Sequence, residues 1–212
     1  MSDRRPQRML QDWIDTTLGS RTIRALGGSL NATFKFPRPI TIKVGGSNLF
    51  AQTLDRLAAL VIIKLGVWER DQRRFVRQVV KPGDVSVDVG ANVGQYTAEL
   101  SSLVGSKGKV YAFEPAPANF RLLKMAVEAN NCSNTVIGEL AVLDRSRRTE
   151  LYLSEMHQGD HRIYQTDDNR PQLRVEATSL DEFLGSDSKV DFVKIDVQGA
   201  EPLVLRGMRR LI

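Results

Sequence analysis

Hydrophobic and polar positions along this chain alternate between two periods, and the changes of period mark its elements. Val85-Ser86-Val87-Asp88-Val89 is a dense β-branched run of the kind that forms a buried parallel strand. The run stops at Gly90, and from Gly94 the pattern becomes helical, so strand, glycine turn and helix follow one another. A second strand is predicted at Val110-Tyr111-Ala112-Phe113, closed by Glu114-Pro115. Phe120, Leu123 and Val127 then predict a helix over residues 118–130, and a third strand follows over 136–142. Alternation predicts further strands at 151–153 and 173–176, and 180–184 is a short helix ahead of a fourth parallel strand over 190–196. Leu203, Val204, Gly207, Met208, Leu211 and Ile212 keep helical spacing to the last residue. Nearer the start, Leu10, Trp13, Ile14, Thr17 and Leu18 predict an amphipathic helix over 7–26. Two short strands, 40–44 and 49–54, flank Gly45-Gly46-Ser47-Asn48, a tetrad suited to a hairpin turn.

Strands that alternate with helices predict an α/β fold with a parallel sheet. In such sheets ligands bind beyond the carboxyl ends of the strands, where the glycine turn and the following helix start lie. Gly90 and Gly94 lack a Cβ where the chain turns and where a ligand would approach the backbone, and Asn92 between them tolerates a turn conformation. Glu114, twenty residues after Gly94, sits at the tip of the second strand, where an acid accepts hydrogen bonds from ribose hydroxyls. The spacing is Gly-x-x-x-Gly rather than the Gly-x-Gly-x-x-Gly that cradles a pyrophosphate. S-adenosylmethionine carries a ribose and an adenine but no phosphate, so this loop favours it over NAD, which stays as the alternative. Gly90, Asn92 and Gly94 are candidates for its methionine end and Glu114 for its ribose. Asp88 is expected to orient the loop or the ammonium, and Ala141 to lie near the adenine.

Three separated blocks carry a family resemblance: Val87 to Thr97, Ala112-Phe113-Glu114-Pro115-Ala116-Pro117-Ala118-Asn119-Phe120, and Val190-Asp191-Phe192-Val193-Lys194-Ile195-Asp196-Val197-Gln198-Gly199-Ala200-Glu201. In this order they resemble the FkbM-type methyltransferases, and Lys81-Pro82-Gly83-Asp84 looks like the lead-in to the first strand. The resemblance runs from about Trp68 onward and divides the chain into an N-terminal α+β extension, 1–67, and a methyltransferase domain, 68–212. It implies a class I methyltransferase fold, Rossmann-like and doubly wound, that uses S-adenosylmethionine. It also implies methylation of a hydroxyl oxygen on a sugar or another natural product. Many family members carry Glu where this chain has Gln198, and an amide cannot act as a base. The matching segment accounts for four core strands of the seven in a class I sheet. The expectation is therefore a C-terminally truncated sheet, with an inactive cofactor-binding remnant as the alternative and self-association through the open edge as its consequence.

The second candidate site is Lys194-Ile195-Asp196, where alternation puts Lys194 and Asp196 on one face and Asp196 at the strand end beside the crevice. Methyl transfer to a hydroxyl needs alignment, worth on the order of 7–11 kcal/mol, and removal of a proton, worth about 10²–10⁴-fold. Asp196 is the leading candidate for base or acceptor-orienting group, with Glu201 as a substitute. Asp196 could equally cap a helix starting near Gly199, with Glu201 and Pro202 in its first turn. His157 and His161 lie in a polar insertion, and His161, in Gly159-Asp160-His161-Arg162, is the better candidate for the acceptor site. Asp196, Glu201 and the two histidines have no ligand spacing, so no metal site is expected.

Composition narrows the remaining classes. The 212 residues suit a single domain with an added subdomain. One cysteine, Cys132, excludes a disulfide framework and points to the reducing cytoplasm. No apolar run reaches membrane-spanning length, and the basic start has no signal-peptide core. Residues 1–80 hold 14 Lys and Arg against 6 Asp and Glu, while the remainder is slightly acidic. Arg70, Arg73, Arg74 and Arg77 around Trp68, Phe75, Val76 and Val79 predict an amphipathic helix with a solvated basic face. No RNA-binding pattern accompanies them, so the expected partner is a small-molecule or glycan hydroxyl acceptor and not nucleic acid.

Overall fold

The computed structural model describes residues 35–212 apart from 67–68, 155–158, 166, 168 and 186–188. The predicted helix over 7–26, Trp68 and His157 therefore lie outside the described residues. The described chain opens with a hairpin, β1 (Lys35–Val44) and β2 (Ser47–Thr53), in which Val44 pairs with Ser47 across a two-residue turn. Gly45 and Gly46 both take positive φ, 59° and 97°, as a tight hairpin of this twist requires. Thr53 then caps α1 (Leu54–Lys64) by accepting the Arg56 N–H.

After α2 (Arg70–Val79), β3 (Val85–Val89) leads into α3 (Gln95–Val104), β4 (Lys109–Phe113) into α4 (Pro117–Ala129), and β5 (Thr135–Gly138) completes the first parallel half. β9 (Phe192–Ile195) returns to pair with β3, giving four parallel strands in the order β5-β4-β3-β9. Helices cover both faces. Val87, Val89 and Phe113 pack on one side against Leu180 of α5 (Leu180–Leu184) and Val204 of α6 (Glu201–Arg206). Val110 and Ala112 point to the other side, toward α2, α3 and α4. This is the predicted doubly wound α/β arrangement, Rossmann-like and of the class I methyltransferase type.

The stretch predicted as one strand over 136–142 is two. The chain leaves the sheet after Gly138, and β6 (Ala141–Val142) joins a second sheet beside β8 (Gln172–Thr178), with β7 (Arg147–Tyr152) antiparallel on the far side. Apolar continuity through Leu140 masks this break in the sequence, because Leu140 is apolar to line a cavity and not to extend a strand. α6 also stops earlier than its periodicity predicts. A Cβ at Gly207 would come within 2.0 Å of the Leu143 carbonyl oxygen, so the chain turns there against β6.

α2 is rotated from the predicted orientation. Val76 and Val80 face α3, and Arg73 and Arg77 on that same face bind the buried Glu99 at 2.8 and 2.5 Å. Arg73 is thus not part of a solvated face, Arg77 stays half exposed while reaching Glu99, and Phe75 and Val79 are exposed. The hairpin and α1 share one apolar cluster with α4, built on Leu49, Leu60, Leu122 and Ala126. Among the described residues no helix is long and apolar enough to cross a membrane.

Candidate functional site

The turn after β3 alternates left-handed residues: Gly90, Asn92 and Gly94 have φ of 76°, 55° and 87°. That conformation turns successive N–H groups toward the neighbouring strand end. Gly90 and Ala91 both donate to the Phe113 carbonyl, at 3.0 and 2.9 Å, and the Asn92 N–H donates to Glu114 Oε2 at 2.9 Å. Glu114 Oε1 accepts from the Ala116 N–H and from Asn119 Nδ2, at 3.1 and 3.3 Å. The acid is only 5% exposed. Burial pushes its carboxyl up from the usual range, against the pull of those donors and of the nearby Arg56 guanidinium. A carboxylate offers about four acceptor positions, so three donors leave room for a ligand hydroxyl.

Glu114 borders a narrow cavity beyond the carboxyl ends of β3, β4 and β9. Gly90, Asn92, Ala141, His161 and Asp196 border it too. Its volume is about 60 Å³, below the roughly 300–1,000 Å³ of small-molecule sites, so a nucleoside enters only if the lining spreads. Six of the nine residues singled out from sequence are thus brought together. The other three are Asp88, Gly94 and Glu201.

Asp88 is fully buried beneath the turn, not facing it. It accepts from Thr97 Oγ1 at 2.6 Å and pairs with Lys194, its register partner on β9, at 3.1 Å. Lys194 in turn donates to the Gly90 carbonyl at 2.8 Å, so Asp88 holds the loop through its neighbour. Gly94 has no space for a ligand: an added Cβ would meet Leu123 and Ala126 of α4 at 2.9 and 3.2 Å. Glu201 accepts from the N–H groups of Val197 and Gly199, both at 3.2 Å, closing the turn before α6. Partial burial raises its carboxyl, but the backbone donors outweigh that and leave it below the usual range.

Asp196 does not cap α6, whose N-cap is Ala200. It accepts instead from Gln198 Nε2 at 2.7 Å. His161 Nδ1 accepts the Ser154 N–H at 3.0 Å, which leaves the proton of the neutral ring on Nε2. Burial, reinforced by Arg56 and Arg170, drives its pKa down to about 4. As it stands, His161 is a hydrogen-bond donor and a poor base at neutral pH.

Sequence reasoning missed Arg56. This side chain from α1 is 5% exposed, bonds Asn92 Oδ1 with Nη1, and bonds Asn119 Oδ1 with Nη2 at 2.8 Å. It thereby places a buried positive charge beside Glu114 and the glycine turn. The available signal was a charge standing at Arg56 directly before the apolar run from Leu57 to Ile63. Among the described residues no group of His, Cys, Asp and Glu could hold a metal ion.

A parallel sheet flanked by helices, with a glycine turn and a buried acid ending adjacent strands, defines a Rossmann-like protein of the class I methyltransferase fold. The chain belongs to the FkbM methyltransferase family: the model described as Methyltransferase FkbM domain matches residues 88–212. It is similar to Methyltransferase 1 of Beauveria bassiana, 27% identical over 143 residues, covering 58% of this chain and 57% of that protein. It is also similar to the hexuronic acid methyltransferase AglP of Haloferax volcanii, 28% identical over 144 residues, with 66% and 56% covered. The chain thus spans a little over half the length of these curated relatives. Among solved structures, an S-adenosylmethionine-dependent methyltransferase from Aquifex aeolicus aligns over 40% of this chain and 47% of its own, at 27% identity and a TM-score of 0.33.

Proposed function

We propose that this chain is an S-adenosylmethionine-dependent methyltransferase acting on a hydroxyl oxygen of a sugar or other natural product. The observation that carries the reading is the convergence of the left-handed glycine turn, the buried Glu114 and Asp196 on one cavity. The residues fit the cofactor. Glu114 retains acceptor capacity for a ribose hydroxyl, Gly90 and Asn92 border the cavity beside Asp196, and Leu140 and Ala141 supply an apolar wall for adenine. No cluster of backbone donors for a pyrophosphate is present among the described residues of the turn, whose Gly90, Ala91 and Asn92 N–H groups are taken by Phe113 and Glu114. That favours S-adenosylmethionine over NAD.

When bound, S-adenosylmethionine supplies an electrophilic methyl group on a sulfonium sulfur. The chain's contribution is positioning and proton removal. Asp196, exposed at the end of β9 and oriented by Gln198, accepts the acceptor's hydroxyl proton. His161, neutral with its proton on Nε2, lines the cavity as a hydrogen-bond donor for the acceptor. A sugar acceptor is supported by the hexuronic acid methyltransferase among the relatives, and a reducing compartment by the lone Cys132.

Calorimetric titration with S-adenosylmethionine, S-adenosylhomocysteine and NAD tests the reading. Binding of the first two is expected, weakened about 10- to 100-fold in Glu114→Gln through loss of a charged hydrogen bond. Binding of NAD alone, or unchanged affinity in the variant, would overturn it.

A further inference from the structure

Arg56 stands in the first turn of α1, where the helix dipole disfavours a cation, and it is buried there, with 5% of its surface exposed. Holding α1 and the hairpin onto α4 does not call for that charge, since Leu49, Leu60, Leu122 and Ala126 already make the apolar contact. We propose that Arg56 is a positioning residue of the cofactor site: through Asn92 and Asn119 it fixes the Glu114 carboxylate so that one oxygen is presented to the ribose. The proposal rests on the S-adenosylmethionine reading above, and it gives a role in that site to the segment preceding residues 88–212.

Four residues close a ring, and every bond in it runs from the guanidinium toward the carboxylate. Arg56 Nη1 donates to Asn92 Oδ1, and Nη2 donates to Asn119 Oδ1 at 2.8 Å. Asn119 Nδ2 donates in turn to Glu114 Oε1 at 3.3 Å, and the Asn92 N–H to Glu114 Oε2 at 2.9 Å. A guanidinium can only donate and a carboxylate can only accept, so the amide of Asn119 has one orientation that satisfies both: oxygen to Arg56, nitrogen to Glu114. Without Arg56 nothing in the ring forbids the flipped amide, which would set an oxygen against the carboxylate. The Ala116 N–H, at 3.1 Å, is the second donor on Oε1. Oε1 thus holds two donors and Oε2 one, which leaves the open acceptor position on Oε2, the oxygen tied to the glycine turn.

The charges agree with this assignment. Burial pushes the Glu114 carboxyl up, and its three N–H donors and the Arg56 guanidinium pull it back toward ionisation. Arg56 also follows burial in driving His161 down, so one guanidinium acts on two groups that border the same cavity.

The test compares S-adenosylhomocysteine with its 2′-deoxy and 3′-deoxy analogues by calorimetric titration of the full chain. Wild type is expected to bind at least one analogue about 10- to 100-fold more weakly than S-adenosylhomocysteine. In Arg56→Met that penalty should shrink to less than about threefold, and in Arg56→Lys, which keeps the charge but not the fork, to a value between the two. A residue that only held α1 in place would weaken all three ligands by one common factor. An unchanged penalty in the variants would therefore overturn the proposal, and so would a wild-type chain that binds S-adenosylhomocysteine and both analogues alike. Should Arg56→Met not fold, Arg56→Lys decides by the same comparison. Failure of wild type to bind S-adenosylhomocysteine at all would instead remove the cofactor reading, and this proposal with it.

Discussion

Gln198 donates to Asp196 across 2.7 Å, a contact that glutamate could not make without sharing a proton. The residue that departs from the family pattern therefore holds the proposed base in place. Gln198→Glu would set two carboxyl groups at hydrogen-bond distance, and the pair is expected to titrate with one apparent pKa raised by at least about one unit, read by ¹³C NMR of the carboxyl carbons. His161 gives a second prediction. Its native pKa of about 4 lies below the 6.5 of a solvent-exposed imidazole in the unfolded chain, so the unfolded state takes up the proton first as pH falls. The resulting stability is fully present above pH 6.5 and is lost between 6.5 and 4. By denaturant titration, wild type should lose up to roughly 3 kcal/mol more than His161→Asn over that window. At this scale the sequence put Asp196 and Glu114 at strand ends, and both border one cavity. It did not reveal that the Nδ1 lone pair of His161 is spent on Ser154, because that contact depends on a loop's return path.

Arg56 joins an element outside the family match to the centre of the proposed cofactor site. Its two side-chain bonds, to Asn92 and Asn119, are made by a charged donor in a buried setting. Arg56→Met should cost about 3 kcal/mol of stability, seen as a lower denaturant midpoint at constant slope, and should weaken S-adenosylhomocysteine binding as Asn92 loses its anchor. Element identity was largely legible: β3, β4, α4, α5, β9 and the hairpin all appear where periodicity put them. The rotation of α2 was not legible. Arg73 and Arg77 flank the same stripe as Val76 and Val80, and only the buried Glu99 on α3 makes that stripe the inward one. The split of β5 from β6 was hidden for a related reason, since an apolar residue reads the same whether it lines a cavity or a sheet.

The whole molecule depends on the hairpin and α1 covering α4. Leu49 and Leu60 seal Leu122 and Ala126, and Arg56 reaches the glycine turn from the same unit. A chain lacking residues 1–66 would expose that apolar face and lose the guanidinium together. It is expected to self-associate in size-exclusion chromatography and to bind S-adenosylhomocysteine more weakly than the full chain. A monomer-sized peak with unimpaired binding would show that residues 67–212 suffice.

By itself the sequence determined the order of strand, turn and helix, the parallel α/β class and the glycine turn with its acid. Each of these is written in local periodicity and in the few residues that tolerate left-handed backbone. Only the tertiary structure decided which polar groups meet. It turned Asp88 inward onto Lys194 and left Asp196 at the crevice, although both sit at strand ends on one face of the sheet. It brought Arg56 to Asn92 and Asn119 across segments with no sequence relation. The stagger of the strands and the rotation of each helix set those meetings, and both follow from packing against the rest of the molecule.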